Sequence, residues 1–516
     1  MRNVLERLKK WAKEPDRIAL VERGEKQMTF CELDVASDAL GVYFSEHYKP
    51  GEPVAIWGDK ENEAAVAILA AVKSAHPYVF LPDYFPVQKV EAVASAANPA
   101  VVVTVSPKPF PKAELPLIGM ADYEKIVAEY RGRTVPESTW PEGETPVCYI
   151  FTSGSTGNPK GVIIAAECIE ASVRSRLTES VKALPERCRM TNMTPYAFSS
   201  SFVNLFCYGM FLGSTLYGVE RALLSDFPAL MKRMLLADAH VMGGTPAFMD
   251  ICLKSEAFCR AKLPSVRLFG MGGEVMTSYT AKRLKERFPG AIVSNGYGAS
   301  ETSAGGLSIA YTDEILESNV MLPSGIPNNG VEAWLEDSEG NRAKPGEPGE
   351  LVIVSKLVAL GYLNAPEKEA EVFFKKDGKR GFRTRDMMRE ENGVFYYLGR
   401  SDNLIKMGGN RIEAEEIERT LNLDANVRAA AVVPAIYEDG KVESIVAHVV
   451  PVKMPEKKIA EVIRLRKWVG EHLPPYAVPR KIVFDESLPR NSNNKIDRRK
   501  LKDMEAAILA GVSVKD

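Results

Sequence analysis

A large α/β domain followed by a small α+β domain is the fold class predicted by three observations. The chain has 516 residues, 45% of them hydrophobic, more than one core organises, so two or more domains are expected. Short β-rich runs alternate with helical patterns through the first part of the chain, the mark of a sheet with buried parallel strands. Towards the C-terminus the pattern changes. Two strand-like runs, Val427 to Ile436 and Val442 to Val452, precede an amphipathic helix from Lys458 to Leu473, a module near the smallest size at which domains occur.

Composition narrows the class. Lys plus Arg (66) nearly balances Asp plus Glu (68), so no basic excess points to nucleic acid and no acidic run to a disordered tail. The cysteines, Cys31, Cys148, Cys168, Cys188, Cys207, Cys252 and Cys259, lack CxxC spacing and read as reduced thiols of a cytoplasmic protein. The five histidines are far apart and suggest neither a metal cluster nor a triad. The N-terminal fifteen residues, to Pro15, are amphipathic and charged throughout, unlike a signal peptide. No apolar run approaches the roughly 18 residues of a membrane span.

Taken in order, Val54 to Trp57 reads as a strand and Glu63 to Lys73 as a helix with a broad apolar face. His76 to Pro86 reads as a proline-punctuated turn, and Ala100 to Val105 as a β-rich run. Val147 to Phe151 reads as a buried strand that stops in Thr152, Ser153, Gly154, Ser155, Thr156 and Gly157, then Asn158, Pro159, Lys160 and Gly161. Glycines let successive N–H groups converge on one point. The hydroxyls add donors and Lys160 adds a charge, which makes a cradle for a polyphosphate. It is not a Walker A loop, because Gly161 follows the lysine. Ala239 to Cys252 reads as strand, glycine turn and helix, and Arg267 to Val275 as strand and glycine turn.

Tyr149 to Gly161 resembles the phosphate loop of the adenylate-forming ligases, the superfamily of acyl-CoA synthetases, luciferases and carrier-loading adenylation enzymes. Further segments agree in order: Val293 to Thr302 (VSNGYGASET) is similar to NxYGxTE, Phe382 to Asp386 (FRTRD) to YRTGD, Gly399 to Glu418 to the interdomain hinge, and Leu488 to Leu501 to the segment around GKIDR. The resemblance implies a large ATP- and acid-binding domain of layered sheets and helices, residues 1–400, a small mobile C-terminal domain, residues 402–516, and ATP and Mg2+ as cofactors. It places Thr152, Ser153, Gly154, Ser155, Thr156, Gly157 and Lys160 on the ATP phosphates, with Thr152 also among the catalytic groups. Asn295, Gly296, Tyr297 and Gly298 would frame the nucleotide, Tyr297 against the adenine. Ser300 would offer a hydroxyl to the α-phosphate, and Glu301 would ligate Mg2+. Asp386 would accept from the ribose hydroxyls and Arg400 would reach the nucleotide. Asp402 would be the hinge pivot, Gly408 and Gly409 would line the thiol tunnel, and Lys495 would be the catalytic lysine. Arg385 and Asn494 stand where glycines are usual.

The acyl end departs further. Phe198 and Ser199 fall in the segment that reads FDxS in α-amino-acid-activating relatives, so Ser199 takes the place of the aspartate that holds the ammonium. Thr245 to Cys252, Gly273-Glu274 and Ala281 to Pro289 resemble the D-alanine carrier-protein ligases, which carry cysteine where this chain has Gly272. The resemblance places Phe198, Ser199, Ser200, Val203, Gly243, Gly270, Gly272, Gly296, Ala304 and Gly305 around the acyl pocket. Glycine holds five of these positions, and each absent side chain removes wall volume. A bulky acid without an α-ammonium, fatty acyl or aryl, is therefore expected.

The activity implied is ATP-dependent adenylation of a carboxylic acid, then acyl transfer to the phosphopantetheine arm of an acyl or peptidyl carrier protein. No DSL-type pantetheinylation site stands near the C-terminus, so the carrier is expected to be separate. Arg411 to Glu418, which reads as the start of an acidic-first helix, has the wording of carrier-loading enzymes rather than of coenzyme A ligases. The small domain is expected to be mobile and to swing Lys495 in and out of the site. Three alternatives stay open: a D-alanine or other amino-acid carrier ligase, an acyl-CoA ligase, and a catalytically silent nucleotide-binding scaffold.

Overall fold

The structure, a computed structural model, describes residues 1–112, 114–153, 159–318, 321–400, 404–407, 410–436, 442–473, 475–491 and 495–509. Two large sheets form its central layers. In the first, six parallel strands lie side by side: Ile18–Val21, Thr215–Gly218, Arg189–Asn192, Val241–Gly244, Leu268–Gly272 and Ile292–Tyr297. Antiparallel strands Gln27–Thr29, Leu307–Ala310 and Ile326–Pro327 complete its edges. The second sheet orders Gly361–Leu363, Pro159–Ala165, Pro146–Ser153, Tyr78–Pro82, Val54–Gly58, Val101–Thr104 and Leu117–Ile118.

The helix Asn62–Lys73 is buried at every residue except Glu63. An all-round apolar helix needs packing on all sides, and one core joins its Ile68 and Leu69 to Ile56 and Val147 of one sheet and Leu20 and Leu216 of the other. Its one buried cation, Lys73, is paired with Asp34 at 2.6 Å and Asp38 at 3.0 Å. On the opposite face of the first sheet, Met242, Phe269 and Val293 pack against Leu230, Phe248 and Leu284 of three helices in a second core. An antiparallel sheet of five strands, from Glu332–Glu336 to Val394–Arg400, completes the large domain. The smaller C-terminal domain has strands Val427–Ile436, Val442–Pro451 and Lys481–Phe484, helices Ala414–Asn422 and Lys458–His472, and its own core.

The α/β fold class holds, and two local expectations are corrected. His76 to Pro86 is not only a turn: Tyr78–Pro82 is a fully buried strand, parallel to Val54–Gly58. Its run Tyr-Val-Phe-Leu outweighs the prolines, because Pro82 ends the strand and Pro77 precedes it. Arg411 does not open a helix. Asn410–Glu413 pairs with Leu404–Met407 as a hairpin, and the helix starts at Ala414. The cysteines are all unpaired, and among the described residues no helix is long and apolar enough to cross a membrane.

Candidate active site

Ligands of open parallel sheets gather beyond the carboxyl ends of the strands. Three neighbouring strands of the first sheet end here in glycine-rich sequence, and their register brings the glycines together. Gly243 lies beside Gly270, Gly270 beside Ser294, and Gly272 beside Gly296. Side chains alternate along a strand, so these five residues share one face while Met242, Phe269, Met271 and Val293 face the second core. The result is a floor of almost bare backbone. It underlies a cavity of about 1400 Å³ that also reaches Thr152, Lys160, Glu301, Asp386, Arg400 and Lys495.

At one end of the cavity stands a polar cluster. Thr152 and Lys160 face each other across the hairpin of Pro146–Ser153 and Pro159–Ala165. Burial and the neighbouring cations Lys368 and Arg385 pull the Lys160 pKa down. The Tyr362 hydroxyl donates to Glu301 Oε1 at 2.7 Å, and the Lys160 ammonium lies 5.3 Å from the same tyrosine ring. The Tyr297 hydroxyl donates to Asp386 Oδ2, and Arg400 donates to Asp386 Oδ1 at 3.2 Å. Burial next to that carboxylate pushes the Tyr297 phenol well up. Asn295, Gly298 and Ser300 line the same cavity.

From the small domain, Lys495 enters the lining. Its N–H bonds Asn491 Oδ1 at 3.1 Å, its carbonyl accepts from the Asn491 N–H at 2.8 Å, and Arg490 bridges to Ile496. Arg490 also pairs with Glu274 of the large domain at 2.5 Å. That contact ties Arg490 to the large domain at the cavity lining.

At the other end lie Phe198, Ser199, Ser200, Val203, Ala304 and the glycine floor. Gly305 is not there: it falls outside the lining, and a Cβ on it would meet the Leu357 side chain at 3.0 Å. The expected loss of wall volume is also corrected. A Cβ on Gly272 would lie 2.8 Å from the Gly296 carbonyl oxygen, one on Gly296 2.8 Å from the Arg176 guanidinium, and one on Gly243 3.0 Å from the Met190 methyl. Only Gly270 of this floor opens onto space, with nothing within 4 Å. Neighbouring backbone and side chains refill the rest. The side chain of Ser153, residues Gly154, Ser155, Thr156 and Gly157, and Asp402, Gly408 and Gly409 lie outside the described residues.

Arg176 and Tyr362 were not foreseen. Arg176 ends the helix Ala166–Arg176, where a basic last turn is ordinary helix-end chemistry, so nothing local marks it. Yet its guanidinium reaches the floor, donating to the Ala304 carbonyl at 2.5 Å. Arg385 is explained differently. Its φ of +60° is the left-handed conformation that favours glycine, and its guanidinium pairs with Glu371.

Residues 8–363 match the AMP-binding enzyme family and residues 416–495 match the AMP-binding enzyme C-terminal domain. A "D-alanine--D-alanyl carrier protein ligase" of Bacillus cereus is 31% identical over 96% of this chain and 98% of its own. The chain belongs to the AMP-binding enzyme family. This AMP-binding enzyme is thus an ATP-dependent, AMP-forming ligase. The ligase of the same description from Bacillus mycoides is 32% identical over the same shares. In fold, this AMP-binding enzyme is similar to Klebsiella oxytoca NpsA in complex with 3-hydroxyanthranilyl-AMSN, with a TM-score of 0.82 and 22% identity over 97% of this chain and 99% of that one.

Proposed function

We propose that this AMP-binding enzyme activates a carboxylic acid lacking an α-ammonium as its acyl-adenylate, then passes the acyl group to the phosphopantetheine thiol of a separate carrier protein. The observation that carries the reading is that one cavity holds three things: the polar cluster of Thr152, Lys160, Glu301, Tyr297 and Asp386, the glycine floor, and Lys495 from the small domain. An acid carboxylate on the floor would attack the α-phosphorus and pyrophosphate would leave. The thiol would then attack the acyl carbon and AMP would leave. Lys495 would stabilise charge that develops on the α-phosphate in the first step. Asp386 would accept from the ribose once its tyrosine partner yields, and Tyr297 would pack on the adenine.

A magnesium ion fits this donor set. Among the described residues no group of three or more acidic, histidine or cysteine side chains could hold a metal. Mg2+ bound with a nucleotide needs only one or two carboxylates, its other ligands being phosphates and waters. Glu301, held by Tyr362, is that carboxylate, and the ion would neutralise phosphate charge.

Two features support an acid without an α-ammonium. Serine stands at position 199, and the charge above the floor is the cation Arg176. A competing reading takes D-alanine from the name of the Bacillus relatives; it would place an ammonium near Arg176, where the groups acting on that cation include no carboxylate. Lys495→Ala tests the adenylation reading. Lys495 is exposed, so the fold is expected to persist while ATP–pyrophosphate exchange falls by about 10²–10³-fold, the usual cost of one transition-state donor. Unchanged exchange would refute the assignment.

A further inference from the structure

Resting on the adenylation reading, we infer that the acid activated here carries a second anionic group, a dicarboxylic acid in the simplest case, held by Arg176. The argument begins with an unanswered charge. The guanidinium sits 2.8 Å from where a Gly296 Cβ would be, above the floor. Its one hydrogen bond among the described residues goes to the Ala304 carbonyl, and its Nε is buried with no partner. The groups close enough to act on its charge are Tyr208 and Cys207, both neutral and both buried. No carboxylate is among them.

The other interior arginines behave differently. Arg233 donates to the Gly218 and Val21 carbonyls and pairs with Glu25 at 2.7 Å. Arg17 donates to the Gly213 and Glu186 carbonyls and pairs with Glu14 at 3.0 Å. A guanidinium kept for structure is answered on each side, because an interior charge without partners is costly. Arg176 is only partly buried and lines the cavity, with a single hydrogen bond from its guanidinium among the described residues. The position also excludes competitors. Glycine at 296 leaves the guanidinium no covering side chain, and Gly270, on the same floor two residues from Gly272, the partner of Gly296, leaves room for a chain to lie along it. A planar fork of N–H donors matches a carboxylate in two parallel hydrogen bonds. An ammonium there would be repelled, and a plain hydrocarbon tail would bury the cation unpaired.

The test is ATP–pyrophosphate exchange by the full chain with saturated dicarboxylic acids of increasing length, their monoamides, monocarboxylic acids and D-alanine. One dicarboxylic acid is expected to exceed its own monoamide by about 100-fold in kcat/KM, the scale of a desolvated charge pair. Arg176→Met is expected to bring that ratio to about one, and Arg176→Lys to restore part of it. The KM for ATP should stay the same. The thermal midpoint of Arg176→Met should not fall, since an unanswered cation is removed. A wild-type ratio near one, or an Arg176→Met effect confined to the KM for ATP, would overturn the inference and leave adenylation standing. No exchange with any acid would overturn the adenylation reading, and the inference with it.

Discussion

The glycine floor makes a sharp prediction, because three adjacent glycines of one sheet face different neighbours. Gly272→Ala brings a methyl within 2.8 Å of the Gly296 carbonyl oxygen. That oxygen is backbone in the paired strand and cannot rotate away, so the strands must part. Overpacking of this kind costs about 1–3 kcal/mol. Gly270→Ala meets nothing within 4 Å. It removes chain freedom from the unfolded state without a clash, so a gain of about 0.4–1 kcal/mol is expected. Gly296→Ala meets the Arg176 guanidinium at 2.8 Å, the end of a flexible side chain. Its stability cost should stay below about 1 kcal/mol, with the effect appearing in acid selection. Scanning calorimetry at one scan rate, with pyrophosphate exchange on the same samples, separates the three. The expected order of midpoints is Gly270→Ala, wild type, Gly296→Ala, Gly272→Ala. A Gly270→Ala midpoint as low as that of Gly272→Ala would refute the register argument, since it would mean that the open face of Gly270 is filled.

Three other perturbations test separate parts of the structure. Burial raises the Asp250 carboxyl to about 6, although Thr280 donates to it at 2.8 Å. A raised carboxyl binds its proton more tightly in the native state, so its contribution is present at low pH and is lost as pH rises through the folded value. Asp250→Asn should therefore gain stability over wild type between about pH 4 and 6, reaching about 2–3 kcal/mol at pH 8, measured as midpoint against pH; a difference independent of pH would refute it. Lys73→Met leaves Asp38 buried beside Asp34 without its cation and should cost about 3–5 kcal/mol. Burial already raises the Asp38 carboxyl, so the loss should be smaller at pH 5 than at pH 8 in urea unfolding. Arg385→Gly relieves a φ of +60° and gives up only a partly exposed pair with Glu371. Unfolding free energy should hold or rise by up to about 1 kcal/mol in urea unfolding, and a clear fall would mean that this ion pair outweighs the strain.

The sequence by itself determined the family and the order of its diagnostic segments. Short motifs such as YIFTSGSTGNPKG or NGYGASE carry local backbone demands, glycine where a chain must turn and hydroxyls where donors must gather, and such demands are visible in a few consecutive residues. It also determined most strands and helices, because runs such as Val101 to Val103 or Ala64 to Val72 are unbroken apolar sequence. Tertiary structure alone decided three matters. It made Tyr78–Pro82 a central strand, since burial between two neighbours overrides the proline punctuation. It showed that glycines are not equivalent: Gly272 is bare because a neighbouring carbonyl oxygen occupies its space, Gly305 because Leu357 does, whereas Gly270 on the floor opens onto space. It also brought Arg176 from a helix end to the floor beside Gly296. The physical reason is common to all three. Cavity shape and charge come from pairs of residues far apart in the chain, and no local spacing records which of them will meet.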